Sequence, residues 1–166
     1  MEFWDIYDEN KQLTGRMMKR NDWCLKDGEY HLTVLGVIAR PDGTFLITKR
    51  VMTKAWAPGW WEVSGGAAQA GEGSREAVLR EVKEETGMTV TQAEYLFSLP
   101  NIYIYSGFPV HTLDLFFRCT VADTLHFEAM DDAAEVFFLP LKDIHPEDFG
   151  LGSIRKGLQM FLAGIS

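Results

Sequence analysis

The chain has 166 residues, 46% hydrophobic and 13% aromatic, enough to bury the core of one domain without disulfide staples. With 24 acidic against 16 basic residues, its formal charge is −8. That sign argues against binding to nucleic-acid polymers, which relies on lysine and arginine neutralising phosphates. A small anionic substrate stays admissible where a bound cation reverses the local sign.

Cys24 and Cys119 are the only cysteines, with no CxxC pair, and read as reduced thiols rather than a disulfide. No apolar run reaches bilayer-spanning length, and the opening MEFWDIYDENKQ has no signal-peptide character. A soluble, cytoplasmic protein with no membrane partner is expected.

At the start, apolar Phe3, Trp4, Ile6 and Tyr7 alternate with polar residues, Asp8-Glu9-Asn10 turns, and the pattern resumes at Leu13. This predicts a short hairpin within an N-terminal extension, residues 1–29. Tyr30 to Ala39 is rich in β-branched residues and reads as a central strand. Pro41-Asp42-Gly43 turns the chain, and Phe45 to Lys49 returns as its hairpin partner. Thr53 to Trp60 is a loop, and Trp61-Glu62-Val63 leads a short strand into Gly65-Gly66. These glycines would let the backbone turn tightly and approach a ligand closely.

Ser74 is the expected N-cap of a helix that Gly87 is placed to end. Leu79, Val82 and Thr86 are expected to pack against a sheet, while Glu81, Glu84 and Glu85 fall within about 100° of arc. Val90 to Ser98, Asn101 to Tyr105 and His111 to Val121 read as strands, and Glu135 to Leu139 as another, ended by Pro140. Leu151 to Leu162 has apolar residues near helical spacing and predicts a C-terminal amphipathic helix. Residues 1–166 are thus expected to form one mixed domain of strands and two helices.

Three carboxylates at i, i+3 and i+4 repel one another, at about 0.2–0.5 kcal/mol per pair on a helix surface. A solvated glutamate-rich helix accounts for REVKEE by itself, but not for the wider spacing. Gly66, Glu72, Arg80, Glu81, Val82, Glu84, Glu85, Gly87 and Met88 fill the nine specified positions of G-x5-E-x7-R-E-U-x-E-E-x-G-U, Met88 as a loose aliphatic. Seven strict matches arise by chance about once in a hundred million starting points at roughly 7% usage per residue type. Residues 66–88 therefore resemble the Nudix box.

What the resemblance implies is an α+β fold, a Nudix-type α/β/α sandwich with a mixed β-sheet, that cleaves nucleoside diphosphates linked to another moiety. By the same resemblance, Glu81, Glu84 and Glu85 would ligate Mg²⁺ or Mn²⁺, and one of them would orient or deprotonate the attacking water. Arg80 resembles the family's orienting arginine, and its pairing with Glu72 would fix the loop on the helix. The partner would be a small-molecule diphosphate. Many relatives are dimers, so a homodimer stays open.

The segments WDIYDENKQLTGRMMKR and TKAWAPGWWEV, with His31, also look like the isopentenyl-diphosphate isomerase branch of this superfamily. Aligned on Gly71-Glu72, however, Gly65 stands where that branch has its catalytic cysteine and Ala67 where it has a metal-binding histidine. Glycine cannot donate a thiol proton, and alanine cannot ligate a metal. A hydrolase on an isomerase-like framework is the preferred reading, with an isomerase-like enzyme or a non-catalytic nucleotide-binding module as alternatives. His31 is either a relic of that metal site or a strand histidine with a satisfied hydrogen bond.

Outside the box, Asp131, Asp132 or Glu135 could supply the further carboxylate that many family members add, so Asp132 and Glu135 join the candidate metal ligands. Glu128 and Asp114 are weaker candidates. Lys49 and Arg50 could meet a phosphate, and Gly65 and Gly66 would shape the loop over it. Trp56 could stack on a base. Trp60, Trp61, Tyr103 and Tyr105 could do so too, although core or hairpin packing accounts better for Trp61 and the tyrosines.

Overall fold

The computed structural model describes residues 2–20, 22, 24–50, 61–105, 108–122, 133–149 and 156–160. Strands β1 (Phe3–Asp8) and β2 (Leu13–Lys19) pair as an antiparallel hairpin, and β1 also meets the start of β3 (Glu29–Ile38). Farther along, the same edge of β3 takes β6 (Ser64–Ala67), while its other edge runs parallel to β8 (Phe108–Val121). Strand β7 (Val90–Tyr105) lies antiparallel to β8 at the end of the sheet. The sheet is mixed, as the α+β sandwich requires.

Both edges of β3 are thus taken, and this overturns the expected hairpin of residues 45–49 with it. The turn forms, with the Arg40 N–H donating to Thr44 O at 2.8 Å, and one bridge joins Ala39 to Phe45. Strand β4 (Thr44–Arg50) then leaves β3 and builds a second sheet between β5 (Trp61–Glu62) and β9 (Ala133–Pro140). The two strands expected between Val90 and Tyr105 are instead one. β7 continues through Pro100, which pairs with Leu113. A terminal strand accommodates proline because only one of its edges carries a ladder.

Helix α1 (Ser74–Thr86) covers one face of the large sheet, where Ala77, Val78 and Val82 pack with Leu32, Val34, Leu113, Leu115 and Phe117. The other face packs Leu35, Val37 and Phe116 against Ile47, Val63, Phe149 and Leu158. Of the predicted C-terminal helix, residues 156–160 are helical and the remainder lies outside the described residues. A Cβ built at Gly157 would collide with the Phe116 ring, so glycine lets this segment lie directly on the sheet. Both cysteines are free, with Cys24 exposed and Cys119 buried. Among the described residues no helix is long and apolar enough to cross a membrane.

Candidate active site

Helix α1 begins one residue earlier than its serine suggests. Gly73 is the N-cap, its C=O accepting the Ala77 N–H at 2.9 Å, and Ser74 is the first helical residue with no capping bond from its hydroxyl. At the far end Gly87 has φ 76° and returns its N–H to Lys83 O, so it terminates the helix as its position implied. Of the face expected on the sheet, Val82 and Thr86 are buried as their spacing implied, and only Leu79 is not. Leu79 is 37% exposed, while Val78 and Val82 fill the core and Glu85 lies one turn on at the same edge. Val78 stands four residues before Val82 on the same stripe, and Glu85 lies between Val82 and Thr86 at its edge, on the sheet side.

There Glu85 meets β6. Its Oε1 accepts from the Gly65 N–H at 2.8 Å and from Ser64 Oγ at 3.1 Å. Burial pushes its pKa up to about 8, the Gly65 bond opposes that shift, and the charges of Glu81 and Glu62 add to it. Glu81 lies one turn back. Its pKa is also raised, by burial first, with Arg80 pulling in the opposite direction.

Gly65 and Gly66 are strand residues, opposite Leu35 and Val34, and do not form the expected loop. Close approach, not a turn, is what demands glycine here. A Cβ at Gly65 would collide with Val34 O, and one at Gly66 would stand 2.6 Å from the Glu81 carboxyl carbon. The glycines bring helix carboxylates down onto strand backbone.

Arg80 organises the remainder. Nε and Nη2 donate to the two Glu72 oxygens at 2.7 and 2.8 Å, and Nη2 also reaches Ala67 O at 3.1 Å. Nη1 donates to Glu81 Oε1 at 2.8 Å and to Glu84 Oε2 at 3.2 Å. These partners, Glu72 foremost, raise the guanidinium pKa, and Arg80 in turn holds Glu72 below the usual carboxylate range. Glu84 is the most exposed of Glu81, Glu84 and Glu85, at 44% of its side chain.

With Arg80 holding Glu81 and Glu84, and β6 holding Glu85, no three acids, cysteines or histidines converge as a finished metal cage among the described residues. The donor set nevertheless fits a hard divalent cation, which takes carboxylate oxygens. The absent side chain at Gly66 keeps open the flank of Glu81 that a Cβ would fill.

Other candidates lie farther out. Lys49 is on β4, opposite Trp61 on one side and Glu135 on the other, and Glu135 is exposed. Arg50 ends the same strand. Trp61 packs edge-on to Phe137 and Phe149, the core role its position favoured. Asp114 is buried on β8 opposite Thr33. Trp56, Trp60, Glu128, Asp131 and Asp132 lie outside the described residues. His31 is buried and stacks on Trp4 at 4.1 Å between ring centroids. Its buried Nδ1 has no hydrogen-bond partner of good geometry among the described residues, and its interaction with the Leu32 backbone only partly offsets the cost of burial.

Sequence reasoning passed over Ser64 and Glu62. Their signal is the alternation in Glu62-Val63-Ser64-Gly65-Gly66, where residues two apart share a face.

The NUDIX domain family matches residues 29–158, well over half of the chain. The chain belongs to the Nudix family. Its Nudix relatives include an uncharacterised Nudix hydrolase of Listeria innocua, 45% identical over 91 residues, 54% of this chain and 53% of that one. A CTP pyrophosphohydrolase of Escherichia coli is 36% identical over 67 residues, 40% of this chain and 49% of the relative. Each match thus spans about half the relative's length. Among solved Nudix folds, a MutT protein from Methanosarcina mazei superimposes with a TM-score of 0.66 at 23% identity, covering 82% of this chain and 96% of that one.

Proposed function

We propose that this Nudix protein is a Mg²⁺- or Mn²⁺-dependent hydrolase that cleaves a diphosphate linkage in a nucleoside diphosphate derivative or a similar small molecule. The observation that carries the reading is the convergence of Glu81 and Glu85 on β6, where burial raises both carboxyl pKa values and glycine leaves one flank open. A buried like-charged pair costs stability unless a cation or a proton compensates it. Glu81, Glu84 and Glu85 would hold the cation. Once bound, it would neutralise diphosphate charge and lower the pKa of a water that attacks phosphorus.

The chain's own residues would do the positioning. Ser64 Oγ and the Gly65 N–H fix Glu85, and Arg80 orients Glu81 while tied to the loop through Glu72. Lys49 and Arg50 are proposed to meet substrate phosphates and Trp56 a base, with Asp132 or Glu135 as a further ligand. Similarity to a CTP pyrophosphohydrolase supports a nucleotide as substrate.

The isomerase-like flanks are read as framework only. A cysteine at position 65 would place its Cβ against Val34 O, so the strand has no room for the isomerase thiol. The test is a Mg²⁺-dependent phosphate-release screen over nucleotide diphosphates and triphosphates, with isopentenyl diphosphate included. Release by the wild type and a loss of about 100-fold in Glu85→Gln are expected. Binding without release would assign a sensor module, and an isomerised product would assign the isomerase branch. Wild-type rates in Glu85→Gln would sink the metal-site reading.

A further inference from the structure

The β1–β2 hairpin precedes the stretch that matches the Nudix family, yet its first strand is tied to the loop between β6 and α1. Phe3 O accepts the Ala70 N–H at 2.7 Å, Asp5 Oδ2 accepts the Gly71 N–H at 2.8 Å, and Glu2 Oε1 accepts from Gln69 Nε2 at 3.2 Å. The loop here is a tight turn from Gln69 to Glu72, closed by the Glu72 N–H on Gln69 O at 3.0 Å. Gly71 takes its third position with φ 80°, the left-handed conformation that such a turn demands of glycine.

The turn does more than change direction. It delivers Glu72, whose Oε1 takes the Gln69 N–H at 3.0 Å and whose two oxygens take Arg80. Arg80 passes the connection on to Glu81 Oε1. An unbroken hydrogen-bonded path therefore runs from β1, through the turn, to a box carboxylate. The hairpin end of the path is firm, because Trp4, Ile6, Met18 and Leu25 bury together and Arg20 holds Glu2 at 2.7 Å. At the junction, Ala67 packs against the hairpin cluster at the base of the turn. Toward the tip, a cleft of 570 Å³ lined by Glu2, Phe3, Met17, Gln69 and Ala70 opens beside it, and the hydrogen bonds to Glu2, Phe3 and Asp5 hold the turn there.

We infer that Asp5 is a positioning residue for the Nudix box, acting through the Gly71 N–H, Glu72 and Arg80 on Glu81. A carboxylate accepting a backbone N–H is a strong, directional bond, and this one fixes the Ala70–Gly71 peptide in the middle of the turn that delivers Glu72. The inference rests on the hydrolase reading for its kinetic consequence, although not for its structural one.

The test compares Asp5→Ala and Asp5→Asn in the full chain. Asp5→Ala is expected to lower kcat about tenfold with little change in KM, since misplacement acts on the reacting geometry more than on binding. It should also weaken Mn²⁺ binding, measured by calorimetry without substrate. Asp5→Asn keeps an acceptor oxygen and should recover most of both losses. Amide exchange in the wild type should show the Gly71 N–H protected, and exchange at Gly71 should quicken in Asp5→Ala.

An unprotected Gly71 amide in the wild type overturns the inference without any variant. So does Asp5→Ala with wild-type kcat and Mn²⁺ affinity, or Asp5→Asn falling as far as Asp5→Ala. A wild type that cleaves no diphosphate defeats the hydrolase reading alone, while amide exchange and Mn²⁺ affinity still decide the role of Asp5.

Discussion

Glu72 and Arg80, eight residues apart, meet as a two-pronged pair: Glu72 Oε2 takes Nε at 2.7 Å and Oε1 takes Nη2 at 2.8 Å. Both side chains are mostly buried, at 15% and 22% exposure, so the pair is less screened than a surface bridge. Replacing Glu72 by alanine leaves Arg80 Nε without a partner and Nη2 with Ala67 O alone, and should destabilise the protein by about 2–3 kcal/mol, with Glu72→Gln costing about half of that. Because Arg80 lowers the Glu72 pKa, this contribution is present above the unfolded value and is lost as the solution is acidified through the folded one. Urea unfolding at pH 7 and below pH 4 checks both statements. Equal midpoints for wild type and Glu72→Ala at pH 7 would remove the fork from the account.

The adjacent glycines of β6 should fail in different ways when given a side chain. At Gly65 the obstacle is Val34 O, part of the β3 backbone, which cannot move without opening the ladder. Gly65→Ala is therefore expected to cost about 3 kcal/mol in unfolding free energy.

At Gly66 the obstacle is the far end of the Glu81 side chain, which can swing aside by giving up its Arg80 bond, while the strand backbone stays in place. Gly66→Ala should keep its stability within about 1 kcal/mol of the wild type and lose hydrolysis by about 100-fold, because the displaced group is the proposed metal ligand. If Gly66→Ala were as unstable as Gly65→Ala, or fully active, the division of labour between the glycines would be wrong.

This contrast also marks where sequence reading stopped. Glycine has one letter for two uses, relief at a turn and relief at a close approach, and only the partner across the gap separates them. The Glu72–Arg80 pairing and the Gly87 cap were legible because each depends on residues within one helix and its leading loop. The departure of β4 from β3 was not. It depends on β6 and β8 having filled both β3 edges, a competition among strands far apart in sequence. Val82 and Thr86 were legible as core, but Val78 rather than Leu79 completes their stripe, and the burial of Glu85 depends on Ser64 and Gly65, partners that nothing within the helix specifies. The hairpin's bonds to the Gln69–Glu72 turn were likewise hidden, since two of the three donors are backbone N–H groups that any residue type would supply.

The buried stack of His31 on Trp4 should leave a mark on acid stability. Desolvation lowers the His31 pKa from 6.5 to about 4, so the folded protein keeps the ring neutral while the unfolded chain takes up a proton. Between those values the unfolded state binds more protons, and stability rises with pH through the window. The contribution is complete above about pH 6.5 and disappears as pH falls to about 4, a difference on the order of 3 kcal/mol. His31→Phe keeps an aromatic ring against Trp4, removes the titration, and also removes the poorly partnered Nδ1. The variant should be at least as stable as the wild type at pH 7, and its advantage should grow as pH is lowered from 6.5 to 4.5. Urea unfolding across that range reads the slope directly, and parallel curves for the two proteins would mean that His31 is not held neutral by burial.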